Sequence, residues 1–247
     1  MTASAGFVVI GDEILSGKTK DKNIGALAER LSLAGIDLCE VRIVADDEAA
    51  IISAVNALRE RYSYVFTSGG IGPTHDDITA QSIAAAFSVD FGVNQEAFDL
   101  LASWYKETGR KMNDARKRMT MMPVGAKLVE NPVSKAPGFQ LENVFVFAGV
   151  PSIFEAMLDA VLPTLEGGVP IFVETIGFPC GEGDIGTELA KIAEAHGGVS
   201  IGSYPKMVDG AFLTDIVLRS RDRQALDAAV AAAQELRSQV DGLLPSA

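Results

Sequence analysis

Short runs of β-branched and aromatic residues, each followed by a loop and a helical pattern, constrain the fold of this chain most strongly. The first three runs occupy residues 7–10, 36–44 and 64–67. Between and after them, apolar residues recur at helical spacing; the clearest examples are Ile24, Leu27 and Leu31, then Ile51, Val55 and Leu58, then Ile83, Ala84 and Phe87. Strands alternating with helices predict an α/β fold with a mainly parallel sheet covered on both faces.

The middle of the chain contains a basic helical segment, followed by two further strands and a helix. Residues 94–118 are predicted to be helical and basic, and strands are predicted at 127–129 and 144–147. A helix follows from Pro151, with a capping-box pattern formed by Ser152 and Glu155. The basic stretch 106–118 is interpreted as a solvated helix face, with the mouth of a cleft for an anionic ligand as the alternative.

Proline and glycine residues near position 168 predict a linker between two domains. We therefore divide the chain into an α/β domain, residues 1–168, and a small α+β domain, residues 169–247. The second domain has the predicted order β-α-β-β-α. Within it, the sequence Ile201-Gly202-Ser203-Tyr204-Pro205 is interpreted as a strand ending in a turn.

Composition excludes several classes of protein. Hydrophobic residues form 48% of the chain, which is enough for a core, and the formal net charge is −12. An acidic chain lacks the basic surface of a general nucleic-acid-binding protein. No signal-peptide core and no apolar run of membrane-spanning length is present, so we expect a cytoplasmic protein without membrane contact. Cys39 and Cys180 are expected to be reduced, semi-buried thiols.

The glycine-rich segment that starts at Ser68 is the strongest candidate for a functional site. Gly69, Gly70 and Gly72 allow the backbone to approach a ligand, and the helix predicted from Thr79 adds N–H groups with a partial positive charge. Together with Ser68 and Thr74, these residues predict a seat for a phosphate group. The alternative interpretation is a tight turn without a ligand.

Two carboxylates, Asp76 and Asp77, follow that glycine segment directly. They would repel a phosphate unless a cation lay between, and Mg²⁺ is commonly held by one or two carboxylates together with phosphate oxygens. We therefore predict a divalent metal near Asp77 and Asp76. As the alternative, Asp77 caps the following helix. His75 is a candidate for polarising a phosphoryl oxygen or relaying a proton, against the alternative of a surface residue.

Further candidate residues follow other predicted strands. Because the carboxyl ends of parallel strands share one edge of the sheet, the loops beginning near Gly11, Val44 and Ser68 are expected to lie together. This expectation brings two more acidic groups to the predicted phosphate seat, Asp12 with Glu13 and Asp46 with its neighbours. Lys135 is a candidate phosphate contact as a point charge. Gly149 and Pro151, where a helix begins, are candidate backbone contacts to an anion.

These motifs resemble the molybdopterin-binding domain family of the MoaB/Mog type, in the version found in CinA-type proteins and in eukaryotic FAD synthase. The segments that carry the resemblance are Gly11-Asp12-Glu13-Ile14-Leu15-Ser16-Gly17, Asn23, Asp46-Asp47, residues 69–79, Ala136-Pro137-Gly138-Phe139 and Gly149-Val150-Pro151. The resemblance implies a three-layer α/β/α fold and a homo-oligomer, a dimer or a trimer. It also implies roles for Asp46 and Asp77 in Mg²⁺-dependent chemistry on a phosphorylated nucleotide or pterin.

Three functions are compatible with the resemblance. The first is a pyrophosphatase that uses Mg²⁺, Mn²⁺ or Co²⁺ to cleave dinucleotides such as ADP-ribose or FAD, with Asp77, Asp46 and His75 as catalytic candidates. The second is adenylylation of molybdopterin, and the third is a non-catalytic ligand-binding module. Ser134-Lys135 replaces the Gly-Thr found in many CinA-type members. Since the sequence ends at Ala247, we expect neither a nicotinamide-nucleotide deamidase domain nor a FAD synthase catalytic domain.

Overall fold

The computed structural model describes residues 3–243, with side chains through residue 241. The chain forms two compact units that meet in sequence between Gly168 and Val169. The strands are β1 Ser4–Ile10, β2 Asp37–Val44, β3 Tyr64–Ser68, β4 Phe91–Val93, β5 Met121–Pro123, β6 Lys127–Val129, β7 Gly138–Leu141, β8 Val144–Phe147, β9 Phe172–Phe178, β10 Ser200–Val208 and β11 Ala211–Ser220. The α-helices are α1 Asp12–Leu15, α2 Asn23–Leu33, α3 Glu48–Arg59, α4 Thr79–Phe87, α5 Gln95–Glu107, α6 Asp114–Arg118, α7 Pro151–Val161, α8 Glu182–Ala195 and α9 Arg223–Leu243.

The first unit is built on a six-stranded sheet with the strand order β2-β1-β3-β8-β7-β6. Strand β1 pairs in parallel with β2 and β3, and β3 pairs in parallel with β8. Strands β8, β7 and β6 pair antiparallel at the other side of the sheet. The predicted parallel sheet is therefore confirmed for four strands. Strand β7 was not predicted, because its proline- and glycine-rich approach is typical of a loop.

Apolar side chains cover both faces of this sheet, which gives the three-layer α/β/α architecture that the resemblance implied. In β1, Val8 and Ile10 belong to the core beneath α3 and α4, whereas Phe7 and Val9 belong to the core beneath α2 and α7. This division follows the two-residue period of a strand. Phe66 stacks on Phe145 with ring centroids 5.3 Å apart, and burying one such side chain stabilises the fold by about 1.5–3 kcal/mol.

The basic segment after β4 is two helices rather than one. Asn94 caps α5 by accepting a hydrogen bond from the Ala97 N–H, and Asn113 caps α6 by accepting one from the Arg116 N–H. Between these helices the chain turns at Gly109. The prediction of one continuous helix over 94–118 is therefore wrong, since a second asparagine cap restarts the helical pattern.

The second unit is a three-stranded antiparallel sheet, ordered β10-β11-β9, with the β-α-β-β-α order predicted from the sequence. Asp209 and Gly210 connect β10 to β11, and both have positive φ values, 51° and 83°. The turn expected at Tyr204-Pro205 is wrong, because β10 continues to Val208. Pro205 is tolerated there because β10 is an edge strand of this sheet.

Three further findings concern the expectations from sequence. Cys39 is exposed and Cys180 is partly buried, and both are free; the expectation of a semi-buried thiol is wrong for Cys39. Helix α7 has Val150 as its N-cap and Pro151 in its first turn, without a side-chain cap, so the capping box at Ser152 is also wrong. Within the described residues, no helix combines the length and apolarity needed to cross a membrane.

Candidate functional site

Four loops leave the same edge of the first sheet. Strands β2, β1, β3 and β8 are mutually parallel neighbours, so their carboxyl ends lie side by side. The chain segments that follow them begin at Ala45, Gly11, Gly69 and Ala148. This arrangement confirms the expectation that the loops near Gly11, Val44 and Ser68 share one edge.

The glycine segment after β3 fits against the neighbouring backbone so closely that side chains are excluded. Gly69 has φ 105°, and a Cβ atom there would lie 2.1 Å from the carbonyl oxygen of Ile10. Its N–H donates a hydrogen bond to the carbonyl of Phe147, at 3.2 Å. At Gly70, φ is 67° and a Cβ atom would lie 2.1 Å from the hydroxyl oxygen of Thr79. Glycine is thus required at both positions by conformation and by space.

Asn23, at the start of α2, ties two of these loops together from inside the protein. Its buried Nδ2 donates to the hydroxyl of Ser68, at 2.7 Å, and to the carbonyl of Gly149, at 2.9 Å. The hydroxyl of Ser68 is therefore engaged below the surface rather than toward a ligand. From sequence, Asn23 stands out only through the family resemblance, because an asparagine at a helix start is otherwise typical of a cap.

Carboxylates from separate loops approach one another at this edge. The Oδ2 atom of Asp46 accepts a hydrogen bond from the backbone N–H of Asp12, at 3.0 Å. Burial raises the pKa of Asp46, and the negative charges of Asp12, Glu13 and Asp76 raise this pKa further, although the Asp12 hydrogen bond opposes the change. The site therefore resists a further negative charge unless a cation compensates it.

The three acidic residues after β2, Asp46, Asp47 and Glu48, have different hydrogen-bond partners. Asp47 accepts a hydrogen bond from the Ala50 N–H, at 2.8 Å, and so caps α3. Glu48 accepts a hydrogen bond from Gln81 in α4, at 3.3 Å. Of this group, Asp46 is the residue that faces the carboxylates of the other loops.

Asp77 organises its own loop. Its Oδ2 accepts hydrogen bonds from the backbone N–H of Thr74, at 2.7 Å, and from the hydroxyl of Thr74, at 2.5 Å. Helix α4 instead has Ile78 as its N-cap, without a side-chain cap, so the alternative that Asp77 caps this helix is not what the structure shows. A hydrogen bond from Thr74 lowers the pKa of Asp76, as do a backbone hydrogen bond and the nearby His75.

The largest cavity at this edge has a volume of about 520 Å³, which is within the range of small-molecule sites. The glycine segment 69–72, Asp77, Glu13, Gly149 and Pro151 contribute to its walls. The phosphate-seat interpretation therefore has a cavity beside it. A separate cavity of about 140 Å³ lies against Gly70, Ile71 and Gly72 and is also lined by Gln81 and Arg118.

Asn131 shapes another wall of the larger cavity. Its Nδ2 donates to the hydroxyl of Ser134 and to the carbonyl of Ala136, and its Oδ1 accepts from the N–H groups of Val133 and Ser134. Asn131 was missed by the sequence analysis. An asparagine before a proline is a signal for such a side-chain turn and could have identified it.

Several predicted residues do not line either cavity: Gly11, Asp12, Ser68, Thr74, His75, Asp76, Asp46 and Lys135. His75 is 97% exposed, and its Nδ1 lies 3.9 Å from a carboxylate oxygen of Asp76. Lys135 has φ 60°, and its neighbours Ser134 and Ala136 line the larger cavity instead. Within the described residues, no three histidine, cysteine, aspartate or glutamate side chains form a group suited to hold a metal ion.

Comparisons with known proteins agree with this geometry. Residues 6–167 match the family described as "Probable molybdopterin binding domain", and residues 170–241 match "FAD synthase, middle domain". The solved structure of "the protein CinA with unknown function" from Thermoplasma acidophilum superposes with a TM-score of 0.61 at 29% identity, over 66% of this chain and 98% of that one.

Relatives of known sequence include both kinds of protein named by the resemblance. A CinA-like protein of Geobacter metallireducens is 32% identical over 79% of this chain and 51% of its own length. A probable FAD synthase of Caenorhabditis briggsae is 30% identical over 94% of this chain and 49% of its own length. This chain thus spans about half the length of these two relatives. A protein of Archaeoglobus fulgidus is 31% identical over 93% of this chain and 96% of its own length.

The motifs, the three-layer fold and these matches agree, and the chain belongs to the molybdopterin-binding domain family of the MoaB/Mog type, in its CinA-like form.

Proposed function

We propose that the first unit binds a phosphorylated nucleotide or pterin at the glycine segment 69–72 and, with a divalent cation, hydrolyses the pyrophosphate bond of a dinucleotide. One observation carries this proposal. Glu13 and Asp77, from two different loops, line a cavity of about 520 Å³ together with the glycine backbone segment, and the negative charges of Asp12, Glu13 and Asp76 raise the pKa of Asp46 at the same sheet edge. Backbone N–H groups attract a phosphate, whereas the carboxylates repel it, so the arrangement favours a ligand that arrives with a cation.

The donor set suits a cation that shares its coordination with the ligand. Mg²⁺ commonly takes one or two carboxylates and completes its shell with phosphate oxygens and water. Within the described residues, no three potential metal ligands form a group, so phosphate oxygens and water would have to supply most of the coordination of such an ion. Asp77 and Asp46 would hold the ion; each engages one carboxylate oxygen within the protein. When bound, the ion would neutralise charge on the phosphates.

The reaction would add the oxygen of one water to one phosphorus atom and break the bridging P–O bond. The electron pair of that bond leaves with the second phosphate, and two monophosphates result. Glu13 lines the larger cavity and would orient the water and accept its proton. His75 is almost fully exposed and lines neither cavity, so it has no role in the proposed reaction.

Purified protein incubated with ADP-ribose or FAD and Mg²⁺, Mn²⁺ or Co²⁺ tests the proposal by chromatographic detection of AMP. We expect release of AMP in the parent and a loss of about 100-fold or more in Asp77→Asn, the size typical of a lost electrostatic contact. Asp90→Asn removes an exposed carboxylate elsewhere in the same unit and should retain activity. Absence of AMP with all three metals would contradict hydrolysis, as would a fully active Asp77→Asn.

Adenylylation of molybdopterin is the second candidate, and the family match over residues 6–167 favours it. It uses the same phosphate seat with a pterin beside it. Calorimetry distinguishes the two candidates, because this function requires tight binding of molybdopterin. If the parent protein shows no turnover and the Asp77→Asn variant still binds the ligand, the first unit is instead a non-catalytic ligand-binding module.

A further inference from the structure

The smaller cavity lies next to the glycine segment and is lined by apolar side chains and polar groups in similar proportion. Its walls include Phe91, Met119, Met121, Met122, Pro137 and Phe139. Its volume of about 140 Å³ is close to that of a buried cavity of about 150 Å³ that accepts benzene. That volume suits a single ring and is small for a fused three-ring system.

The two cavities share a wall. Gly70, Ile71, Gly72, Asp77 and Met119 line both of them. A phosphate seated on the glycine segment would therefore have open space on two sides. A compound with a group on each side of its phosphates could place one group in each cavity.

Polar groups at the smaller cavity indicate which rings it accepts. Among the described residues, the Arg118 guanidinium makes no ion pair and no hydrogen bond, in contrast to Arg116, which packs over the ring of Tyr105. Helix α4 begins beside this cavity without a side-chain cap, so its first turn adds a partial positive charge. Gln81 donates its Nε2 to Glu48, which leaves its amide oxygen as an acceptor. The carboxylate of Asp77 also lines this cavity, but in the proposed complex the divalent cation offsets its charge. A cationic ring is therefore disfavoured beside Arg118 and the start of α4.

We propose that this cavity is a second subsite, which binds an uncharged flat single ring carried on the far side of the phosphates from the group in the larger cavity. Methionine sulfur makes favourable contacts with aromatic rings, and an arginine guanidinium stacks on them. The proposal rests on the proposed function in using the glycine segment as the phosphate seat and in placing a divalent cation at Asp77. It does not require turnover.

NADH and ADP-ribose provide the test, because the two differ by one uncharged dihydronicotinamide ring. Both are titrated into the whole protein by calorimetry, with Ca²⁺ as the accompanying cation, and NADH is also followed by its own fluorescence. We expect NADH to bind about five- to tenfold more tightly than ADP-ribose, with a rise in fluorescence as the ring leaves water. FAD, whose flavin has three fused rings, should show no such preference over ADP-ribose.

Two variants and one control locate the effect. Arg118→Ala removes the stacking group, and Ala80→Leu fills the cavity from α4, since Ala80 lines it; both should bring the NADH to ADP-ribose ratio close to one. Lys117→Ala removes the same charge from the adjacent exposed residue, which does not line the cavity, and should leave the ratio unchanged.

The outcomes separate this subsite from the hydrolysis. Equal affinities of the parent protein for NADH and ADP-ribose would overturn the subsite even if AMP is released from both compounds. A ratio that persists in both Arg118→Ala and Ala80→Leu would overturn it as well. A preference for NADH that these variants abolish supports the subsite even in a protein that never hydrolyses either compound.

Discussion

The two sheets of this protein use their connections differently. In the first unit, four parallel strands send their loops out of one edge, and burial together with carboxylates from different loops raises the pKa of Asp46 there. In the second unit, neighbouring strands are antiparallel, and charged side chains form pairs such as Lys206 with Asp215, at 2.7 Å. Parallel topology brings like charges from separate loops to one edge, where a ligand can use them, whereas Lys206 and Asp215 lie on neighbouring antiparallel strands and offset each other.

The largest expected effect compares one glycine from each unit, both with positive φ. Gly69→Ala would place a Cβ atom 2.1 Å from a carbonyl oxygen, whereas Gly210→Ala meets nothing within 4 Å. We expect the first change to cost about 4 kcal/mol of folding free energy or more, and the second about 1 kcal/mol, from backbone strain alone. Differential scanning calorimetry of each variant measures both.

In that experiment, Gly210→Ala is the control for the cost of a positive φ without a clash. If the two variants unfolded at the same temperature, the close contact between Gly69 and Ile10 would not determine stability. The conclusion that position 69 requires glycine for reasons of space would then be wrong.

A middle-sized effect concerns buried hydrogen bonds. Asn23→Ala removes two bonds that join the loops after β3 and β8, and we expect a loss of about 2 kcal/mol together with weaker binding of ADP-ribose. Thr214→Val removes one buried bond, from the Thr214 hydroxyl to the carbonyl of Cys180, and should cost about 1 kcal/mol. Chemical denaturation and calorimetric titration distinguish the two.

Only the Asn23 variant is expected to change ligand affinity. Equal loss of affinity in both variants would mean that general destabilisation, rather than the position of the loops, controls binding.

The smallest effects are pH-dependent and contrast two carboxylates near the same strand. Burial and negative neighbours raise the pKa of Asp46 above its ordinary value of 3.8. Its charge therefore disfavours the folded state increasingly as pH rises above that value. Hydrogen bonds from Arg42 and Tyr62 lower the pKa of Glu40 below its ordinary value of 4.5. The stability that the ionised Glu40 contributes is present above pH 4.5. It is lost as pH falls through the lower pKa that Glu40 has in the folded protein.

Thermal unfolding at pH 7 and near pH 3 tests both. We expect Asp46→Asn to raise the unfolding temperature at pH 7 by a few degrees at most and to lose this advantage near pH 3. Glu40→Gln should lower the unfolding temperature at pH 7, with the difference shrinking in acid. A stabilising Glu40→Gln at pH 7 would contradict the assignment.

Local signals predicted the parts of the fold where one element determines its own conformation. Residues 7–10 and 144–147 form strands because continuous β-branched and aromatic runs suit a sheet covered on both faces. The glycine segment 69–72 was recognised because positive φ angles demand glycine, and two of its residues have them.

Features that depend on a partner segment were missed, whether that partner is near or far along the chain. Strand β7 forms a hairpin with β8 across Glu142 and Asn143, against a local composition typical of a loop. The sequence Asp209-Gly210 is a strong hairpin signal. The turn was nevertheless predicted at Tyr204-Pro205, because proline is common in turns. The linking role of Asn23 requires Ser68 and Gly149, 45 and 126 residues away, and no local pattern contains such information.

The wall common to both cavities has a thermodynamic consequence. If an occupant of one cavity shifts Gly70 or Ile71, it changes the affinity of the other cavity by some factor, and the second occupant must change the affinity of the first by that same factor. The strength with which this protein holds one end of a two-armed compound would then report on the chemistry of the opposite end. Through the glycine segment 69–72, the protein would thereby recognise both ends of the compound together, and not its phosphates alone.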